Sequence, residues 1–225
     1  MPGRRADGFV LVAVMLMILL MSVLVAALVS IASSETLIAA NFRHAQEALY
    51  AADAAAERAL SDLASMADWD TILNGTVQSS FTDGPPAGTR ALQSGATIDV
   101  SQVVNLANCR RPTPCSSAAM DLTTAERPRG INNPRWQPFA YGKLEDVLPG
   151  VATDSAYYAV VLVGDDPSDV DGDPLRDAPP GRSGHGLLAL RAEVFGPRST
   201  HRVLELTVGR TSSGGVRVVS WRERR

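Results

Sequence analysis

Between Asp7 and Glu35 the chain carries no charge, and valine, leucine, isoleucine, methionine and alanine dominate the run. A bilayer core about 30 Å thick is crossed by roughly 20 such residues in a helix, so the pattern predicts a transmembrane helix over 9–34. A removable secretory signal has a shorter apolar core that ends at a small-residue cleavage site. Here the residues after Ser34 stay helix-favouring, with no glycine before Gly75 and no proline before Pro85, so the helix is expected to continue. Ile38, Phe42, Ala45, Leu49, Ala52, Ala56, Ala59 and Leu63 recur at alternating spacings of four and three, which makes an apolar stripe. Arg43, Glu47, Asp53, Glu57, Arg58 and Asp62 fall largely off it. Residues 35–66 therefore read as an amphipathic stalk helix with one side available to a globular domain. A helix from about Phe9 to Met66 would be roughly 85 Å long at 1.5 Å per residue, a length that implies a filament or stalk.

The pattern changes after residue 66. Residues 67–95 are rich in Asp, Gly, Ser, Thr and Pro, with turn signals at Asn74-Gly75 and Gly84-Pro85-Pro86. Strand patterns follow at 97–106, 157–163, 186–195, 202–208 and 216–221. In 188–194 and 202–208 apolar residues alternate with polar ones around a Gly196-Pro197 turn, so one face should rest on the amphipathic helix. The proline-rich stretch 110–150 has little periodicity and reads as an irregular insertion, of the kind that often carries binding specificity. The expected fold class is α+β: a long N-terminal transmembrane and amphipathic helix packed on an antiparallel β-sheet head, with 67–225 as one extracytoplasmic domain.

Composition narrows the function. A net charge of -3 gives no broad attraction to nucleic acid or anionic lipid, and no nucleic-acid partner is expected. Arg4 and Arg5 precede the apolar run and, by the positive-inside tendency, stay in the cytoplasm. The rest of the chain is then exported. The two cysteines, Cys109 and Cys115, lie in that exported part, where an oxidising compartment favours a disulfide. The competing arrangement is a metal pair, but zinc takes four ligands and no histidine lies near these cysteines. Arg222, Arg224 and Arg225 form a small basic tail that reads as a solvated end.

The sharpest chemical signal in the head is Asp165, Asp166, Asp169, Asp171, Asp173 and Asp177, six carboxylates within thirteen residues. Such oxygens can gather on calcium, and Asp169, Asp171 and Asp173 are the candidate ligands. The stretch fails the EF-hand pattern, because Pro174 and Pro180 occupy the positions for the turn glycine and the bidentate glutamate. A solvated acidic loop is the alternative, and no other cofactor is expected. His44, His185 and His201 are scattered, and no nucleophile elbow, zinc-protease motif or phosphate loop is present. Ser183 and His185 have no specified acid partner. These observations argue against an enzyme. Trp69, Trp136 and Trp221 read as packing residues, with Trp136 in the insertion able to anchor a partner if exposed.

A basic leader, a glycine, an apolar half-helix and an amphipathic half-helix together resemble a type IV pilin over residues 1 to about 66. The texture of Gly8-Phe9-Val10-Leu11-Val12-Ala13, Glu35-Thr36, Ala39-Ala40-Asn41-Phe42-Arg43 and Ala48-Leu49-Tyr50-Ala51-Ala52-Asp53-Ala54-Ala55 is similar to the PilX-type minor pilins. The resemblance implies a cytoplasmic leader over 1–8, cleavage after Gly8 by a prepilin peptidase and N-methylation of Phe9. It also implies a single-pass inner-membrane protein, with other major and minor pilins and the inner-membrane pilus assembly machinery as partners. Ala13 departs from the glutamate usual at the fifth mature position of major pilins, where that acid pairs with a neighbour's amino terminus. The departure favours an initiating or tip role in pilus assembly over a shaft role. A secretion-system pseudopilin and a membrane-anchored binding module, adhering through calcium, are the alternative readings.

Overall fold

The computed structural model describes residues 5–148, 150, 154–179 and 181–224. Half of the expected leader, residues 1–4, lies outside them. The chain divides into two units, one ending at Arg43 and one running from His44 onward. A single helix, α1 (Arg5–Ser65), supplies the first unit and opens the second. In the first unit the apolar side chains from Phe9 to Phe42 are exposed, with Leu28 65% accessible. The hydroxyls of Ser22, Ser33, Ser34 and Thr36 donate to carbonyls four residues back. These four hydroxyls are thus satisfied inside the helix, as an apolar surrounding requires.

In the second unit α1 turns to packing. Ala48, Ala51, Ala52, Ala55, Ala56, Ala59 and Leu63 are buried. They share a core with Ala159, Val161 and Val163, with Leu188, Leu190 and Val194, and with Leu204, Leu206 and Val208. Small side chains let the helix backbone approach the sheet closely, and burial of the facing branched side chains supplies the driving force. After α1 come α2 (Asp70–Leu73), a two-stranded hairpin of β1 (Thr89–Ala91) and β2 (Thr97–Asp99), α3 (Val100–Cys109) and α4 (Ser117–Met120). The main sheet follows: β3 (Gln137–Lys143), β4 (Tyr158–Asp165), β5 (Leu187–Phe195), β6 (His201–Arg210) and β7 (Val216–Arg224). These five strands pair in sequence order, each antiparallel to the next.

Successive side chains leave a strand on opposite faces. One face of the sheet meets α1. The other carries Tyr141, Tyr158, Val160 and Leu162 in a second core with Val103 and Ala107 of α3 and with Trp136. The β3 edge is covered, since Ser79 and Asp83 donate backbone N–H groups to Phe139 and Tyr141 and Tyr141 donates to Phe81. Thus β7 is the open edge.

Three expectations change. Residues 97–106, expected as one strand, leave the strand at Asp99, whose carboxylate accepts from the N–H groups of Ser101 and Gln102 and so caps α3. The insertion 110–150 contains β3, a central part of the core. Its strand signal is weak because Pro138, Gly142 and Lys143 interrupt the alternation and the register shifts between Pro138 and Ala140. Along α1, Ile38 and Phe42 of the expected stripe are exposed.

Candidate functional site

Gly8 and Phe9 sit in the α1 backbone, and the Phe9 side chain is exposed. Ala13 lies four residues on, within the exposed apolar run. This segment presents an uninterrupted apolar surface with no ionisable group until Glu35.

Cys109 ends α3 and forms a disulfide with Cys115. Arg110 follows in the left-handed region (φ 57°) and returns its N–H to the Leu106 carbonyl, so the chain turns sharply out of the helix. The loop is held from beneath by the buried guanidinium of Arg127, which donates to the carbonyls of Ala107, Met120 and Pro134. Burial, helped by the nearby Arg135 charge, pushes Arg127 down to about 10, which leaves it charged at neutral pH. Asn108 exchanges hydrogen bonds with the Trp136 backbone at 3.0 and 2.9 Å. Trp136 itself is buried, and the accessible tryptophan is Trp221 on β7.

The acidic stretch folds as a series of turns. Asp169 Oδ1 accepts from the Asp171 N–H at 3.0 Å, Asp171 Oδ1 from Asp173 at 2.8 Å, and Asp173 Oδ1 from Leu175 at 3.3 Å. Each carboxylate organises the two residues after it, the usual Asx turn. Asp169 is buried against Gly184, which has φ +93° and no room for a Cβ beside the Asp169 backbone. Its Oδ2 is buried without a hydrogen-bond partner among the described residues. Burial, reinforced by the Asp169 charge, pushes the neighbouring Asp165 up to about 8. Burial also raises Asp177, although its Oδ1 accepts from the Gly186 N–H at 2.7 Å. Among the described residues, no three His, Cys, Asp or Glu side chains converge in a metal-holding group. Asp171 and Asp173, with Asp68, Asp70 and Asp177, instead line a pocket of about 500 Å³ beside Arg176, His185 and Arg210.

The three histidines do not meet. His44 faces Glu47 at 3.4 Å, His185 contacts the Ala178 carbonyl, and His201 bonds Glu193 at 2.9 Å.

The largest charged feature was not legible along the chain. On the sheet face away from α1, Glu205 accepts from Arg191 at 2.8 Å and from Arg222 at 2.9 Å, with Arg224 at 3.4 Å. Burial pushes Glu193 up, but the His201 hydrogen bond and the Arg191 charge outweigh it and hold this carboxyl below its ordinary value. Arg222 and Arg224, expected as part of a solvated tail, are thus strand residues in an ion-pair network. Only the i, i+2 spacing of Arg222 and Arg224 hinted at a shared face.

Residues 7–57 match the family model described as PilX N-terminal. The chain has a PilX-type pilin N-terminus. The matched segment is the apolar run and most of the alanine-rich face of α1, the parts that combine a membrane-crossing surface with a sheet-packing one. With the antiparallel sheet behind it, the PilX-type N-terminus gives a type IV pilin-like α+β fold. It marks a type IV pilus-related N-terminus, and such a segment, with the apolar helix, implies a membrane anchor and interaction with pilus components. No curated protein and no solved structure gives a significant match to the chain.

Proposed function

We propose that the chain is a minor pilin-like structural subunit of type IV pilus assembly, acting in an initiation or tip complex, without catalytic activity. The observation that carries this reading is the PilX-type N-terminus over residues 7–57. In this reading the protein crosses the inner membrane once with its head outside. A prepilin peptidase removes residues 1–8 after Gly8, and Phe9 becomes the N-methylated terminus.

The exposed apolar run supports the proposed mechanism, in which the helix passes from lipid to a bundle of neighbouring subunits' helices. Lipid tails are as apolar as the helix, so the transfer is driven by close packing and polar pairing, with little gain from hydrophobic burial. A buried ammonium needs a carboxylate partner. Ala13 supplies none, which favours a place at an end of the filament over one repeated along the shaft. The Cys109–Cys115 disulfide suits an exported head.

The test is intact-mass and N-terminal analysis of the membrane-extracted protein from cells with and without a prepilin peptidase. A mature chain starting at N-methylated Phe9 only when the peptidase is present is the expected result. Retention of residues 1–8 in both strains overturns the processing step and leaves an ordinary membrane anchor.

A further inference from the structure

The main sheet ends at β7, and among the described residues no segment hydrogen-bonds to its outer edge, whereas backbone groups of Ser79 and Asp83 cover β3. β7 is nine residues long. Alternate N–H and C=O groups along it point away from β6, the state in which a sheet accepts another strand.

The side chains flanking this edge differ between the two faces. Residues directly opposite each other in an antiparallel pair share a face. Trp221 stands opposite Leu206 and Val218 opposite Val208, so both lie on the α1 side, yet Val218 is exposed and Trp221 is 50% accessible. Arg222 stands opposite Glu205 and Arg217 opposite Gly209, on the other side. Glu205 is shared by Arg191, Arg222 and Arg224. Arg191 and Arg224 have second carboxylates in Glu193 and Glu126, and Arg202 has Glu223. Arg222 has no second carboxylate among the described residues, and its side chain is 65% exposed. Arg217 forms no ion pair among them and is half-buried.

The geometry points to β7 as the docking edge for an extended segment of a different protein, one in which acidic and apolar residues alternate. Added as a further strand, that segment pairs its backbone with β7, sets its carboxylates beside Arg217 and Arg222, and sets its apolar side chains beside Val218 and Trp221. Arginine offers carboxylates planar pairs of donors. The same arginines disfavour a second copy of this chain, because two β7 edges brought together place positive charges from both along one seam. A polyanion such as nucleic acid would satisfy the arginines but leave the edge backbone and the apolar side chains unused. The surface lies wholly in the head, so it stands or falls independently of processing at Gly8.

The probe is a labelled synthetic peptide with blocked ends, Gly-Thr-Glu-Val-Glu-Val-Glu-Val-Thr-Gly, added to the full-length chain in detergent at about 50 mM salt, where exposed charges are weakly screened. Fluorescence anisotropy should show binding, and hydrogen exchange read by mass spectrometry should slow in β7 while α3 is unchanged. Lysine in place of glutamate should weaken the peptide about tenfold or more. Proline in place of two of the valines keeps the charge but prevents a ladder, and should weaken it by about as much. Arg222→Gln should weaken the acidic peptide about threefold. The peptide comparisons use the unaltered chain and so hold even where that variant loosens the sheet. A proline peptide that binds as well as the alternating one marks a surface for any polyanion and overturns the proposal. So do equal binding of the lysine peptide, no binding at roughly millimolar peptide, protection confined to elements other than β7, and unchanged binding to Arg222→Gln. Protection of β7 that rises with protein concentration in the absence of peptide puts a second copy on the edge and also overturns it.

Discussion

Asp165 shows how a residue's chemistry depends on its surroundings. It closes β4, is 4% exposed and lies beside Asp169, which is 1% exposed. An unfolded aspartate titrates near pH 3.9, whereas this one is pushed to about 8. The folded state therefore binds the proton more tightly than the unfolded state between these values. Its contribution to stability is fully present below about pH 4 and is lost as pH rises to about 8, by an amount on the order of 3–5 kcal/mol. Urea unfolding of the detergent-solubilised chain at several pH values should show that decline. Asp165→Asn keeps the oxygen that accepts the Asp166 N–H and should remove at least half of the decline, the remainder coming from Asp169 and Asp177, which burial also raises. A variant with the unaltered slope would refute this assignment. The acidic cluster was visible in the sequence, but which of its members is buried was not. That depends on Gly184, fifteen residues away, closing over the Asp169 backbone.

The second half of α1 shows what periodicity can and cannot reveal. Alternating spacings of four and three correctly signalled a packed face, and Ala52, Ala56, Ala59 and Leu63 lie on it. The face is wider than a single stripe, because Ala48, Ala51 and Ala55 are buried too. Alanine carries little hydrophobic signal of its own, so only the facing sheet shows that these positions are contacts. Ala55 is fully buried within this core. Ala55→Leu should therefore overpack the helix–sheet interface and cost about 1–3 kcal/mol in chemical denaturation. The same change at the exposed Ala54 should be close to neutral, and equal effects at the two sites would remove alanine packing as the explanation. Strand β4 was legible as a run of branched residues, and β5 and β6 by the alternation of apolar and polar positions. Strand β3 was hidden by Pro138 and Gly142, although Gly142 is suited to its place, where a Cβ would meet the Phe81 ring at 2.8 Å.

For the molecule as a whole, the PilX-type N-terminus and the apolar helix imply an anchor, and the proposed function puts the sheet domain on the far side of the membrane. A periplasmically active reporter joined after Arg225 should be active, and the same reporter should be inactive in a chain whose segment 9–34 is deleted. Activity in both, or in neither, would contradict the topology. The arginine network of the head is a property of this level alone. Arg191, Glu205, Arg222 and Arg224 are separated by as much as 33 positions, between Arg191 and Arg224, and strand pairing brings them to one face.

By itself the sequence determined the anchor, the continuation of its helix, the pilin-like entrance and the helix-plus-sheet class. Each of these rests on local spacing: charge-free length, 3.6-residue periodicity and strand alternation. Tertiary structure decided what depends on distant partners. It placed β3 beside β4, turned the segment after Asp99 into a capped helix, buried Asp165 and Asp169 while leaving Asp171 exposed, and gathered the arginines opposite α1. Burial and electrostatic context are set by which chain segments exclude water from a group, and those segments lie far from it along the chain.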